Sequence, residues 1–217
     1  GFPGISGPLK APAPKYPRRI ALLETAGWEK ANNEAKQALM EGRKLLSSNG
    51  IEFVDKTSDA TVAEVESAIV DAMTLSMSIN AWEGRWPLNT YSRDMDRASL
   101  SESAQNRLAQ AEKMDQDEYQ GLLAERERIR ELYASLADGI DLCASLAAPG
   151  AAPKGLGWTG DPSFVVPGSL LGVPGISLPV LTAEDSMPLG LQLLGFINQD
   201  AKLFAAAAAI LPLFEDQ

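Results

Sequence analysis

Apolar and polar positions alternate in blocks along the chain, and the period changes from block to block. Arg19 to Glu24 is a short apolar run. After Gly27, Ala31, Ala35, Ala38, Leu39, Leu45 and Leu46 recur near helical spacing until Gly50, and Ile51 to Val54 is apolar again. Strand, helix and strand follow, and a βαβ-like unit over residues 18–60 implies parallel pairing beneath a covering helix. Thr61 with Glu64 three residues later has the form of a capping box, opening a helix whose Val62, Val65, Ile69, Ala72, Met73 and Met77 share one face. Ser99 with Glu102 repeats that start signal. A further helix begins at Asp115, with Tyr119, Leu122, Ile129, Leu132, Tyr133 and Leu136 as its stripe.

Between these helices, Gly84 to Asn89 reads as a loop, because Pro87 disfavours helical geometry at Trp86. The texture changes after residue 139. Ile140 to Leu146 is an apolar run, residues 147–163 are rich in Pro, Gly and Ala, and Gly175–Val180 and Leu189–Gly195 read as strands. An Ala-rich helix closes the chain from Asp200 to Leu211. Residues 1–17, with five prolines and three glycines, form an extended arm. The expected architecture is one α/β lobe over residues 1–217: a mixed β-sheet flanked by helices, with a helical segment at 61–138 and a sheet with its closing helix at 139–217. No internal repeat is found.

Composition narrows the chemistry. The 217 residues are 45% hydrophobic and 22% charged, as expected of a folded chain with one sizeable core. A net charge of −10 gives no attraction for phosphate backbones or anionic membranes, so neither nucleic acid nor membrane is an expected partner. The absence of histidine removes Ser-His-Asp and Cys-His nucleophile activation, and with it the commonest metal ligand. Cys143 is the one thiol, so no intrachain disulfide forms, which suits a cytoplasmic location. No export signal is visible, and a chain without an initiating Met is expected to be a fragment. No cofactor or metal ligand set is assigned.

Gly155-Leu-Gly-Trp-Thr-Gly160 matches GxGxxG by spacing, but a dinucleotide site needs that pattern between a strand and a helix, whereas a Pro-rich loop precedes it here. It reads as a glycine-permissive loop. Cys143 reads as an inert core residue. Asp115 and Asp117 read as helix-start carboxylates, and Glu125 to Glu131 as ion pairs on a solvated helix face. Asp161 has two open roles: an Asx turn supported by Pro162, or a ligand-facing carboxylate in a small-residue loop.

Larger blocks carry more information. Thr159-Gly-Asp-Pro-Ser-Phe164 is followed by Pro167, by Leu170-Leu-Gly-Val-Pro-Gly-Ile-Ser-Leu-Pro179, by Pro188-Leu-Gly-Leu-Gln-Leu-Leu-Gly195 and by Asp200-Ala-Lys-Leu203. In order and spacing these resemble the C-terminal portion of amidase signature enzymes. Arg18 to Trp28 resembles the strand and loop after that family's catalytic core, and Tyr119 to Leu142 its long helix leading into a buried strand. The resemblance covers nearly all of residues 18–213, corresponding to the second half of a family member.

The resemblance implies an amidase that hydrolyses a carboxylic amide C–N bond through a Ser/cis-Ser/Lys triad. The Ser/Gly-rich motif of that triad has no counterpart here, since Gly4-Ile-Ser-Gly7 and Ser47-Ser-Asn-Gly50 are too short, so no catalytic residue is assigned. The triad is expected on a missing N-terminal half, the chain alone is expected to be inactive, and its partners are that half and a small-molecule amide. An exposed strand edge is expected to drive homo-oligomerisation where that half is absent. Substrate-pocket candidates are Thr159, Gly160, Asp161, Phe164, Gly168 and Ser169; Gly168-Ser169 stands where many members have an aromatic, and so leaves a wider pocket. The amidase-type subunit of an amidotransferase is the alternative within the family, and a noncatalytic helical binding module the alternative outside it.

Overall fold

The computed structural model describes residues 11–215. The expected arm therefore falls largely outside the described residues; the part within them has no regular structure and is tied down where Lys15 N–H donates to Ala205 C=O at 2.9 Å. The elements in order are β1 (Arg19–Leu22), α1 (Asn33–Ser48), β2 (Glu52–Val54), α2 (Ala60–Ile69), α3 (Ala72–Asp94), α4 (Glu102–Lys113), α5 (Gln116–Ser135), β3 (Leu142–Leu146), α6 (Val166–Leu171), β4 (Gly175–Thr182), β5 (Pro188–Leu194), α7 (Asp200–Ile210) and α8 (Pro212–Glu215).

Five strands form one mixed sheet in the order β2-β1-β3-β5-β4. β1 pairs in parallel with β2 and β3, and β5 pairs antiparallel with β3 and β4. Successive side chains of a strand point to opposite faces, and both faces here are covered. Ile20, Leu22, Leu142, Ala144 and Leu146 pack with Ala35, Leu39 and Leu46 of α1 and with Leu203, Ala206 and Ile210 of α7. Ala21, Leu23 and Cys143 pack on the other face with α2, α3, α5 and α6. That double burial explains why β1 and β3 read as continuous apolar runs rather than as alternating ones. The parallel β1-α1-β2 unit agrees with the sequence reading.

Several local expectations need correction. Asp59, not Thr61, caps α2: its carboxylate accepts from the N–H groups of Thr61 and Val62 at 3.0 and 3.2 Å, and Arg19 pairs with it at 3.6 Å. Ser101, not Ser99, caps α4, because Asp96 first caps a 3₁₀ turn over Arg97–Ser99. The chain breaks at Val70 and Asp71 between α2 and α3, which resets the helical phase; Leu75 and Ile79 are buried, and Met77 faces outward at 58% exposure. The expected loop at 84–89 shrinks to Trp86 alone (φ −96°, ψ 122°), with helical backbone on both sides. Pro87 forces only its predecessor out of the helix and then serves as the first residue of the next turn. The short helix α6 was not expected; Gly172 ends it in the left-handed conformation (φ +68°), which glycine adopts without a Cβ penalty.

At Asp115 the reading holds. Its carboxylate accepts from Glu118 N–H and the Glu118 carboxylate accepts from Asp115 N–H, a reciprocal capping box. Ile129, Tyr133 and Leu136 are buried, with Tyr119, Leu122 and Leu132 partly so. The charged run on α5 forms the expected ion pairs, Arg128 with Glu125 and Arg130 with Glu127, and Arg130 also donates to Leu170 C=O at 3.2 Å.

A crevice at the ends of the parallel strands as candidate functional site

β1 connects through α1 to β2 on one side, while β3 lies on its other side. The loops leaving the C-terminal ends of β1 and β3 therefore diverge, and a crevice opens between them, where ligands bind in α/β sheets. Here it is an open cleft of about 740 Å³ walled by Lys30 and Asn32 after β1, by Ala147–Pro153 and Trp158–Pro162 after β3, and by Glu184, Pro188 and Leu189 at the β4–β5 connection. A groove of about 800 Å³ between α3 and α4 is larger, but it lies on a helical hairpin away from the strand ends.

Two cross-links hold the crevice walls together. Lys30 Nζ donates to Asp161 Oδ2 at 2.8 Å and to Ser163 Oγ at 2.7 Å, while Asp161 Oδ1 accepts from Ser163 N–H at 2.8 Å and from the Ser163 hydroxyl. Asp161 closes the Asx turn and is also among the residues that line the crevice. Burial pushes its carboxyl up, but the bonds from Lys30 and Ser163 outweigh this and hold it below the usual carboxylate range. In the second link, Asn32 caps α1 by accepting from Ala35 N–H at 2.8 Å, and its Nδ2 donates to Glu184 Oε2 at 2.7 Å. Backbone of the two loops joins where Asn32 N–H donates to Pro149 C=O at 3.0 Å.

The candidate residues separate. Thr159, Gly160 and Asp161 line the crevice. Phe164 does not: it is fully buried and packs in the core under the loop. Gly168 is buried in α6 against Leu194, so close that a Cβ there would come within 2.9 Å of Leu194 Cδ2. Ser169 is exposed and lines a separate pocket of about 290 Å³ with Ser76, Asn80 and Arg126. A wider pocket through Gly168-Ser169 is therefore not a property of this crevice. Gly155 and Gly160 have φ of +92° and +104°, and no helix follows them directly, in keeping with a loop rather than a dinucleotide site.

Three residues of the site, Lys30, Asn32 and Glu184, carried no signal in the local sequence, and a fourth that supports it, Gln192, was not singled out. Gln192 is buried in β5 and donates through Nε2 to Phe164 C=O at 2.9 Å and to Ser145 Oγ at 3.0 Å, fixing the loop over the sheet. An amide in an otherwise apolar strand was the available clue. Lys30 and Ser163 lie within hydrogen-bond distance of each other but do not form a nucleophile–base pair. Ser163 is only 5% exposed and gives its proton to Asp161, and Lys30 donates to both neighbours. Cys143 is fully buried, and burial pushes its thiol up to about 12, which leaves no thiolate for chemistry. Among the described residues there is no cluster of three or more Cys, Asp or Glu placed to hold a metal ion, and no helix is long and apolar enough to cross a membrane.

Comparison with known proteins points the same way. The Amidase family model matches residues 8–204. A fatty acid amide hydrolase of Medicago truncatula is 27% identical over 175 residues, which is 75% of this chain and 29% of that protein. The A subunit of a glutamyl-tRNA(Gln) amidotransferase of Paenarthrobacter aurescens is 42% identical over 53 residues, 24% of this chain and 10% of that one. Among solved structures, that of an amidase superposes with a TM-score of 0.70 at 21% identity, covering 94% of this chain and 46% of its own. A bacterial aryl acylamidase of the amidase signature family gives 0.62 at 15% identity, over 93% and 45%. The chain spans less than half the length of these proteins. The fold, the order of the sequence blocks and a family match over most of the chain agree: it belongs to the amidase signature family.

Proposed function

We propose that this chain is the C-terminal part of an amidase that hydrolyses the C–N bond of linear carboxylic amides, and that it supplies one wall of the substrate crevice while the Ser/cis-Ser/Lys triad lies outside it. The observation that carries this reading is the placement of Thr159, Gly160 and Asp161, from the most distinctive family block, at the C-terminal ends of β1 and β3. Hydrolysis needs a nucleophile, a base and oxyanion donors converging on one carbonyl. The crevice brings together a clamp, Lys30–Asp161–Ser163, whose recorded hydrogen bonds run among its own three residues rather than activating a nucleophile. The sheet ends in β2 and β4, edges at which a further segment or a second copy can pair. A hydrolase is favoured over an amidotransferase subunit because the amide hydrolase relative matches 75% of the chain, whereas the amidotransferase A subunits, at 34–42% identity, match 24–39% of it.

The test is ammonia release from a panel of aliphatic and aromatic amides. The 217-residue chain is expected to give none, and the polypeptide read from its gene with the upstream coding region is expected to turn amides over. Turnover by the 217 residues, abolished by replacing a serine within them, would overturn the reading.

A further inference from the structure

The crevice holds one negative charge that its own residues leave unanswered. Of its ionisable side chains, Lys30 and Asp161 neutralise each other at 2.8 Å, whereas Glu184 takes its hydrogen bond from the uncharged amide of Asn32 and forms no ion pair among the described residues. The carboxylate is positioned rather than free. Asn32 is fixed as the α1 cap and by its N–H to Pro149, and its side chain lies so close to Gly150 that a Cβ there would come within 2.6 Å of Nδ2. Its own backbone N–H and the Asn32 amide hold the Glu184 carboxyl below the usual range, so it is ionised at neutral pH. Lys154, near the next residue, is 3.8 Å from Asp185 in a fully solvated pair.

The rest of the wall is apolar. Ala148, Pro149, Ala151 and Pro153 line it, and Trp158 presents an indole that is 62% exposed. A hydrophobic wall with one fixed charge is a common arrangement for a small-molecule site, the charge setting orientation, and an exposed indole face also attracts cations.

We propose, building on the amidase reading, that the crevice selects amides carrying an ammonium group: Glu184 receives the cation, and Trp158 with the Ala/Pro wall covers the apolar body between the cation and the scissile bond. An amide bearing a carboxylate is disfavoured by the same charge.

The complete enzyme tests this with two amides of matched shape, 4-(aminomethyl)benzamide and 4-ethylbenzamide. The expected result is a kcat/KM about fivefold higher for the cationic amide, carried in KM, as suits a charge pair at the exposed Glu184 carboxylate. Glu184→Gln should bring the ratio of the two toward one, and raising the salt concentration should do the same in the parent enzyme. Equal kcat/KM for the two amides, or a preference unchanged in Glu184→Gln, overturns the ammonium inference and leaves the amidase reading standing. Turnover of other amides but of neither of these also overturns it. Failure to hydrolyse any amide overturns the amidase reading, and this inference with it.

Discussion

The ring of Phe164 lies against the backbone of Gly27 so closely that a Cβ on Gly27 would sit 2.6 Å from its Cδ2. This contact joins the turn after β1 to the loop after β3, and it explains why the aromatic of the Asp-Pro-Ser-Phe block is in the core rather than in the crevice. Gly27→Ala should therefore force the ring or the turn to move and cost about 1–3 kcal/mol, as overpacking does. Chemical denaturation of parent and variant checks this; an unchanged midpoint would show that the turn relaxes freely.

Gln192 is the polar counterpart of that contact. Replacing it with Leu removes the donor to Phe164 C=O and Ser145 Oγ in a buried site. The expected loss is about 1–3 kcal/mol for buried groups left unpaired. It should appear in the same denaturation experiment, together with a looser 159–165 loop by hydrogen exchange.

Lys30→Met separates clamp from core. Lys30 is half exposed and its pairing with Asp161 is partly screened, so global stability should fall by no more than about 1 kcal/mol. The amide of Ser163, which donates to Asp161 Oδ1, should exchange faster because the turn has lost its anchor. Unchanged exchange at Ser163 would show that the Asx turn holds without the lysine.

Cys143 gives a chemical readout of folding. With its thiol fully buried and pushed up to about 12, it should resist alkylation at pH 8 in the folded chain and react once denaturant unfolds it. Rapid labelling under native conditions would mean that β3 opens.

Asp55 sets a pH dependence whose sign follows from its depressed pKa. The Thr57 hydroxyl, against an opposing effect of partial burial, then the Thr57 N–H, Arg43 and Ser58 hold the carboxyl down from its ordinary value of 3.8 to about 2. The folded state thus binds this proton less readily than the unfolded chain. The contribution to stability is complete above the unfolded value and is lost as pH falls from about 4 toward 2. Solvent screening at this partly exposed surface site limits it to about 1 kcal/mol. Asp55→Asn should shrink the stability difference between pH 6 and pH 2 by that amount; identical acid limbs would contradict the assignment.

What the sequence by itself determined is what short-range chemistry specifies. Apolar runs flanked by glycine and polar residues placed all five strands, the helix-start carboxylate Asp115 placed the start of α5, and the ordered blocks from Thr159 onward pointed to the family. The tertiary structure decided everything that depends on residues distant in the chain. Thr61 carried a capping pattern, yet the cap is Asp59, which accepts from the N–H groups of Thr61 and Val62 and also pairs with Arg19 of β1 at 3.6 Å. Met77 continues the helical spacing of Val62, Val65 and Ile69, yet the break at Val70 and Asp71 puts α3 in a different phase, so that Leu75 and Ile79 are buried and Met77 faces outward. The crevice itself joins Lys30 to Asp161, 131 residues away, and Asn32 to Glu184, 152 residues away. No periodicity records such pairs, because strand order and loop closure bring them together, and those are properties of the whole packed sheet rather than of any window along the chain.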